Sequence, residues 1–182
     1  NQWYANVISR AKCALRIKTV SFGPFFVYDN LLFKCADGMR FYKSMPDCAT
    51  VYIYHNIIEH PSAIIYHAMD QVAWNDPGLK KLIKPGTPGF HVFNNMFLCD
   101  KPFSNSSGVK PNFKGDYNLY TSDKEPVFTE AGIDLHSIFN AKPEFVDQAN
   151  GNWLLSEGSP GKKVGADLSR FSARLPACDD KY

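Results

Sequence analysis

The chain has no apolar run approaching the ~20 residues that cross a bilayer, so no membrane span is expected. It has no C-x-x-C pair, which excludes a zinc ribbon or a thioredoxin-like redox site. Neither H-x-H nor H-E-x-x-H occurs, so no metal site built by the protein is expected. Charge of one sign is also scarce. Lys+Arg number 20 against 18 Asp+Glu, a formal net charge of +2, which excludes a nucleic-acid binder driven by bulk charge. No basic-then-apolar leader opens the chain, so any signal peptide is expected to be absent already. Charged residues are only 21% against 45% hydrophobic, which is enough apolar side chain for a packed core and rules out a disordered tail. At 182 residues the length prior is one domain, or a fragment of something larger.

Cysteine is present in an odd number: Cys13, Cys35, Cys48, Cys99 and Cys178. At least one thiol is then unpaired or bonded to another chain. The triplet Asn105-Ser106-Ser107 is an N-glycosylation sequon in a Ser/Gly-rich stretch, and it favours a secreted or cell-surface location.

What the chain does have is a repeat. Asn6, Asn30, Asn56 and Asn95 each precede two large apolar residues, at spacings of 24, 26 and 39. Aligned on these asparagines, other columns appear. Two positions earlier lie Tyr4, Tyr28, Tyr54 and Phe93, and three positions earlier lie Trp3, Val27, Ile53 and Val92. Asn118-Leu119-Tyr120 is a weaker fifth copy. A further strand pattern follows the first three asparagines, through Ala14–Lys18, Gly38–Tyr42 and Ala63–His67, with apolar and polar residues alternating at period two. Short strands in units of ~25 residues describe a parallel β-solenoid, whose units must stack because none buries its own apolar face. Like residues then lie ~4.8 Å apart on successive coils. An inward asparagine both donates and accepts, so a column of them can bond the turn backbone and one another. The alternative is a set of ordinary turn asparagines in a β-sandwich, which does not account for the repeating flanking columns.

Several segments resemble one fold family. Gly23–Asn30 and Val51–Asn56 are similar to coil strands of right-handed parallel β-helix proteins of the pectate-lyase-like superfamily, the fold of many polysaccharide lyases and some glycoside hydrolases. Gly115–Tyr120 resembles the last coil of that fold. Residues 132–160, through Gly132-Ile133-Asp134-Leu135-His136, Pro143–Asp147 and Gly158-Ser159-Pro160, resemble its closing tail. The resemblance implies an all-β, right-handed parallel β-helix of about four to five coils over residues 1–120, with an insertion at about 70–88 and a loop at 101–111. Residues 121–182 are expected to form an irregular C-terminal cap. Family members have more coils upstream, so the resemblance also implies missing coils, or a partner chain, over the first coil.

Alternation along the third strand pattern turns Leu15, Ile17, Met39, Phe41, Ile64 and Tyr66 inward. Arg16, Arg40 and Ile65 then form one outward column, and Lys18, Tyr42 and His67 the next. An arginine pairs a uronate carboxylate bidentately. Neutralising that carboxylate acidifies the neighbouring C–H, whose proton a lysine, histidine or tyrosine can then move. The candidate catalytic set is therefore Arg16 or Arg40 as carboxylate clamp, and His67, Tyr42 or Lys18 as base or acid, in a β-elimination on an acidic polysaccharide. The competing reading is a solvated strand face. Stacked Arg16 and Arg40 would repel at ~4.8 Å, so an anion is expected to bridge them or the side chains to splay. A glycosidase needs two carboxylates ~5–9.5 Å apart. Asp29, Asp37, Asp47, Glu59, Asp70 and Asp76 form no such column.

The Tyr4/Tyr28/Tyr54/Phe93 column has two readings: an outward strip for sugar rings, or stacked core lying inward or under the tail. The second is the expectation. The sequence positions of Asp134 and His136 suit capping better than chelation. Calcium would suit a uronate-binding lyase, yet no acidic loop of suitable spacing is present, so no cofactor is expected. Cys35 and Cys99 fall two coils apart, ~9.6 Å, too far to pair, whereas Cys13–Cys35 on adjacent coils remains open. The leading function is extracellular carbohydrate binding or cleavage, and the rival is a non-enzymatic structural or adhesin module of a surface or matrix assembly.

Overall fold

The computed structural model describes residues 2–17, 24–42, 50–60, 62–67, 89–105, 113–123, 134–162 and 164–165. Its described regular structure is β-strand, apart from one 3-10 turn at Gln148–Asn150. Three parallel sheets are stacked coil upon coil. The first holds β1 (Gln2–Tyr4), β4 (Phe25–Tyr28), β7 (Val51–Tyr54), β10 (Phe90–Phe93) and β13 (Phe113–Asp116), in that order. The second holds β2 (Val7–Ser9), β5 (Leu31–Phe33), β8 (Ile57–Glu59), β11 (Met96–Leu98) and β14 (Leu119–Tyr120). The third holds β3 (Leu15–Ile17), β6 (Met39–Tyr42), β9 (Ser62–His67) and β12 (Lys101–Asn105). Register follows the sequence columns: Trp3, Val27, Ile53 and Val92 are direct neighbours, as are Leu15, Met39 and Ile64.

The asparagines make the corner between the first and second sheets. The residue before each one has positive φ: Ala5 (55°), Asp29 (53°), His55 (54°), Asn94 (54°) and Tyr117 (57°). A non-glycine residue there costs ~1–2 kcal/mol, and the asparagine ladder offsets it. Each rung's backbone N and Nδ2 donate to Oδ1 of the next, at 2.8–3.2 Å, from Asn6 through Asn30, Asn56 and Asn95 to Asn118. The second Nδ2 hydrogen reaches a main-chain carbonyl of the preceding coil, as from Asn56 to Val27 O at 3.0 Å. Asn30, Asn56, Asn95 and Asn118 are fully buried with these bonds made. The weak fifth copy is thus a full rung. Its columns look weak because Gly115 fills the inward slot of Val92, where an added Cβ would lie 2.9 Å from the Phe113 ring.

The inward columns form the core, with Val27, Leu32, Met39, Phe41, Ile53, Ile58, Val92 and Phe97 at 0% exposure. Gly38 lets β6 pass close to β9, since a Cβ there would fall on the Ala63 carbonyl. A second apolar cluster lies outside the second sheet, where Leu31, Ile57, Met96 and Leu119 meet Trp153 and Phe145 of the tail. The tail is more regular than the sequence led us to expect. β15 (Phe145–Asp147) and β16 (Asn152–Leu155) pair antiparallel, and Ile138 bridges Leu119.

Two expectations need correction. The loop read over 101–111 begins later, because Lys101–Asn105 is β12 and pairs with β9. The alternation Phe103 in, Ser104 out extends the third sheet despite Pro102, which sits on an edge strand where a missing N–H is tolerated. Ile65, read as outward on a solvated face, is buried at 7% exposure. The insertion at about 70–88 lies outside the described residues, apart from its flank at Gly89.

Candidate binding surface

The outer face of the first sheet follows from its inner one. With Trp3, Val27, Ile53 and Val92 turned into the core, the residues on either side point out. They form two columns in register: Gln2, Phe26, Tyr52, His91 and Lys114, then Tyr4, Tyr28, Tyr54, Phe93 and Asp116. This overturns the core or tail-covered reading of the tyrosine column. Tyr4 is 51% exposed, Tyr28, Tyr54 and Phe93 are half-buried, and the described tail residues Trp153 and Phe145 pack on the second sheet instead. The signal that could have found this was available. An aliphatic column at one position forces the adjacent column to the opposite face of a strand.

The ring geometry limits what the face can do. Tyr4 and Tyr28 stack at 4.8 Å with 3° between planes, and Tyr28 and Tyr54 at 4.9 Å with 1°. Phe26 and Tyr52 stack at 5.0 Å, and His91 follows, tilted by 48°. The facing ring surfaces of Tyr4, Tyr28 and Tyr54, and of Phe26 and Tyr52, are therefore occupied by one another. What points outward is a row of ring edges and phenol oxygens at the coil spacing. Aromatic edges carry the positive end of the quadrupole and phenol O–H groups donate, so the strip offers itself to oxygen-rich partners. The Tyr28 hydroxyl donates to Gln2 Oε1 at 3.3 Å.

Charges on this face are arranged in couples. Asp29 lies 3.7 Å from His55 Nδ1. Asp116 Oδ2 is 2.7 Å from His136 Nδ1, while Asp116 Oδ1 accepts from the His136 and Tyr117 main-chain N–H groups. Desolvation pushes the Asp116 carboxyl up, but the hydrogen bonds from His136 and Tyr117 outweigh it and hold it below the usual range. The His136 ring also stacks on Tyr117 at 4.8 Å and 6°. Burial, and then the Lys114 charge, push the His91 imidazole down. Burial, then Tyr28 and Asp29, push the Tyr54 phenol up.

A groove of about 410 Å³ runs beside the second sheet, lined by Lys34, Cys35, Glu59, His60, Leu98, Cys99 and Asp100. A second hollow of about 260 Å³ adjoins it under the tail, sharing Glu59, Leu98, Cys99 and Asp100. Gln148 Nε2 donates to Glu59 Oε1 at 3.1 Å and ties the tail down here. Burial raises the Glu59 carboxyl and lowers the His60 imidazole, whose Nδ1 sits 3.1 Å from the Cys35 carbonyl. A carbonyl only accepts, so Nδ1 carries the proton. Burial pushes the Cys99 thiol up to about 12 and raises Cys35 and Cys13, so none of these is a ready nucleophile. All three are free thiols.

The third sheet brings Arg16 and Arg40 into direct register. Arg16 is exposed, and Arg40 Nη2 pairs with Asp37 Oδ2 at 2.5 Å. Asp37 thus supplies an anion to Arg40. Tyr42 and His67 are backbone neighbours in register, with side chains outside the described set, and Lys18 lies outside it altogether. Asn105 ends β12, and the rest of its sequon lies outside the described residues. Among the described residues no three His, Cys, Asp or Glu side chains gather as a metal site, and no helix is long and apolar enough to cross a membrane. Comparison with known proteins gives no match among family models, curated proteins or solved structures.

Proposed function

We propose that this chain is an extracellular polysaccharide-binding module built as a right-handed parallel β-helix of four to five coils, of the pectate-lyase-like superfamily. The glycan lies along the outer face of the first sheet. The observation that carries the reading is the pair of in-register aromatic columns on that face, with Tyr4 51% exposed at one end. Contiguous aromatic surface of this kind marks an interaction site. Its outward edges and hydroxyls suit hydroxyl and carboxylate oxygens, which a polysaccharide supplies at every residue. Binding without cleavage is the better-supported form. Arg40, the centre of the lyase set with Arg16, Lys18, Tyr42 and His67, is already engaged by Asp37.

The test is retardation of the protein in native gels cast with neutral or uronate polysaccharides. Unsaturated uronide absorbance is followed in parallel. Retardation by at least one glycan, lost in Tyr28→Ala/Tyr54→Ala and weakened in Tyr54→Phe with unchanged circular dichroism, is expected. Unaltered migration of the native chain in every gel would leave the structural or adhesin role. Uronide release abolished by Arg40→Ala would move the site to the third sheet.

A further inference from the structure

Two titratable residues break the outer column of the second sheet where the chain turns toward the third. Glu59 stands in register between Phe33 and Leu98, so its neighbours on both adjacent coils are apolar. His60 follows it at the corner and is only 3% exposed. Neither belongs to the aromatic face of the first sheet or to the arginine pair of the third. Burial disfavours the charged form of both, raising the Glu59 carboxyl and lowering the His60 imidazole. A leucine at 59 would match the column with no such penalty. Side chains that break a local rule at the expense of stability mark a candidate site.

Each of the two has one polar atom engaged and one left over. Gln148 Nε2 donates to Glu59 Oε1 at 3.1 Å, and His60 Nδ1 donates to the Cys35 carbonyl at 3.1 Å. Among the described residues, the buried atoms Glu59 Oε2 and His60 Nε2 have no hydrogen-bond partner. The two nitrogens of an imidazole diverge, so with Nδ1 committed to the second coil Nε2 is turned away from it. Cys99 and Asp100 of the fourth coil line the same groove as His60, about 410 Å³ in volume. The hollow of about 260 Å³ under the tail continues it past Glu59. Volumes of this order are those of small-molecule sites.

We propose that this groove binds a small uncharged polyol, such as a single sugar residue, with hydroxyls on His60 Nε2 and Glu59 Oε2. The orphan atoms specify the chemistry. A neutral imidazole with its proton on Nδ1 only accepts at Nε2, which excludes a carboxylate or phosphate there. A protonated Glu59 donates through Oε2, and an ionised one accepts. A hydroxyl meets either state, because it both donates and accepts, whereas an ammonium meets only the second. Lys34 and Lys142 stand against Glu59 and Asp100 around the two hollows, so neither sign of charge dominates. Leu98 and Phe145 supply an apolar wall for the C–H face of a sugar. The site is separate from the aromatic columns, and the inference stands whether or not the first sheet binds glycan.

The test is NMR titration of the full chain, carrying nitrogen-labelled histidine, with D-glucose, D-galactose and glycerol. The His60 Nε2 resonance is the readout, and sodium glucuronate and glucosamine hydrochloride are the charged counterparts. A saturable shift with at least one neutral compound is expected. Binding should weaken about tenfold in Glu59→Leu and stay unchanged in Tyr28→Ala. Glu59→Gln, which keeps an amide group for the same hydroxyl, should bind nearly as well as the native chain. No saturable shift with any neutral compound, undiminished binding by Glu59→Leu, or tighter binding of either charged counterpart would overturn the proposal. So would an Nε2 resonance already at its hydrogen-bonded position in the free protein and unmoved by sugar, because a fixed water would then be the occupant.

Discussion

The first and second sheets share one corner, one ladder and one core, yet their outer faces differ. On the first sheet, phenol and phenyl edges project outward with Gln2, Lys114 and Asp116 among them. On the second, Val7, Leu31, Ile57, Met96 and Leu119 form an aliphatic column under the tail's Trp153. Aliphatic side chains have no polar tip to leave in water, so that column needs a cover. Tyrosines stacked face to face bury their apolar faces on one another and keep their hydroxyls wet. Among the described residues the second face therefore stabilises the molecule through its tail, whereas the tyrosines of the first stand without a tail cover. A solenoid thus divides stability and recognition between adjacent sheets by the choice of one outward residue per coil.

The comparison breaks completely at the shared corner. Asn56→Leu removes the acceptor for Asn30 N and Nδ2 and the amide donor to the Val27 carbonyl and to Asn95 Oδ1. Each buried orphan costs ~1–3 kcal/mol, so a loss of about 5 kcal/mol or more is expected, with both sheets unfolding together. Urea denaturation followed by far-ultraviolet circular dichroism checks it. Retention of a cooperative transition near that of the native chain would remove the ladder as a main support.

Trp153→Ala separates the two faces. Trp153 is 2% exposed and packs against Phe33 and Phe145. A loss of about 3–5 kcal/mol is expected, felt as opening of the tail and second sheet. Hydrogen exchange should then rise at Leu31, Ile57 and Met96 while Val27 and Ile53 stay slow. Equal acceleration in both sheets would mean the tail supports the whole solenoid.

Tyr28→Ala tests the other side. The ring lies between Tyr4 and Tyr54 on a half-exposed face, so the expected stability cost is only about 1 kcal/mol. Glycan retardation should fall sharply. A variant that binds as well as the native chain would strip the first sheet of its proposed role.

The smallest effects concern pH, and they belong to the covered side. His60 has its folded pKa depressed, so the stability it contributes is full above the unfolded value of about 6.5 and is lost as pH falls through the folded one. Glu59 is shifted the other way. Its contribution is full below the ordinary carboxyl range and is lost as pH rises through the raised value, so the ionised group weakens the fold at neutral pH. Glu59→Gln, which keeps an acceptor for Gln148, should raise the urea midpoint slightly at about pH 7 and not at about pH 4. His60→Asn should flatten the loss of stability as pH falls below about 6.5. A native chain whose midpoint does not fall as pH drops below about 6.5 would show that His60 protonates without cost.

Much of this was legible beforehand because a solenoid writes its stacking into its period. The ladder Asn6, Asn30, Asn56 and Asn95, and the register of Arg16 with Arg40 and of Tyr42 with His67, could be read from columns, whereas the capping role of Asp134 came from the resemblance of its segment to a closing tail. The candidate sites were less legible. The outward direction of the tyrosine column could be read from alternation, but whether the tail covers it could not, because the tail has no period to read. Asp37 lies three residues before Arg40, and no alternation rule says that a corner residue turns back onto its own strand. Lys101–Asn105 was hidden because Pro102 and the serines resemble loop composition.

Local order of residues was enough for the parallel stacking, the corner asparagines and the inward columns. Each depends on period and on neighbours ~4.8 Å away along one axis, and a repeat encodes both. Folding alone settled which outward column stays in water and where Glu59 and His60 meet the tail. Those depend on contacts between stretches that share no repeat. Their partners are chosen by burial and hydrogen bonding in three dimensions.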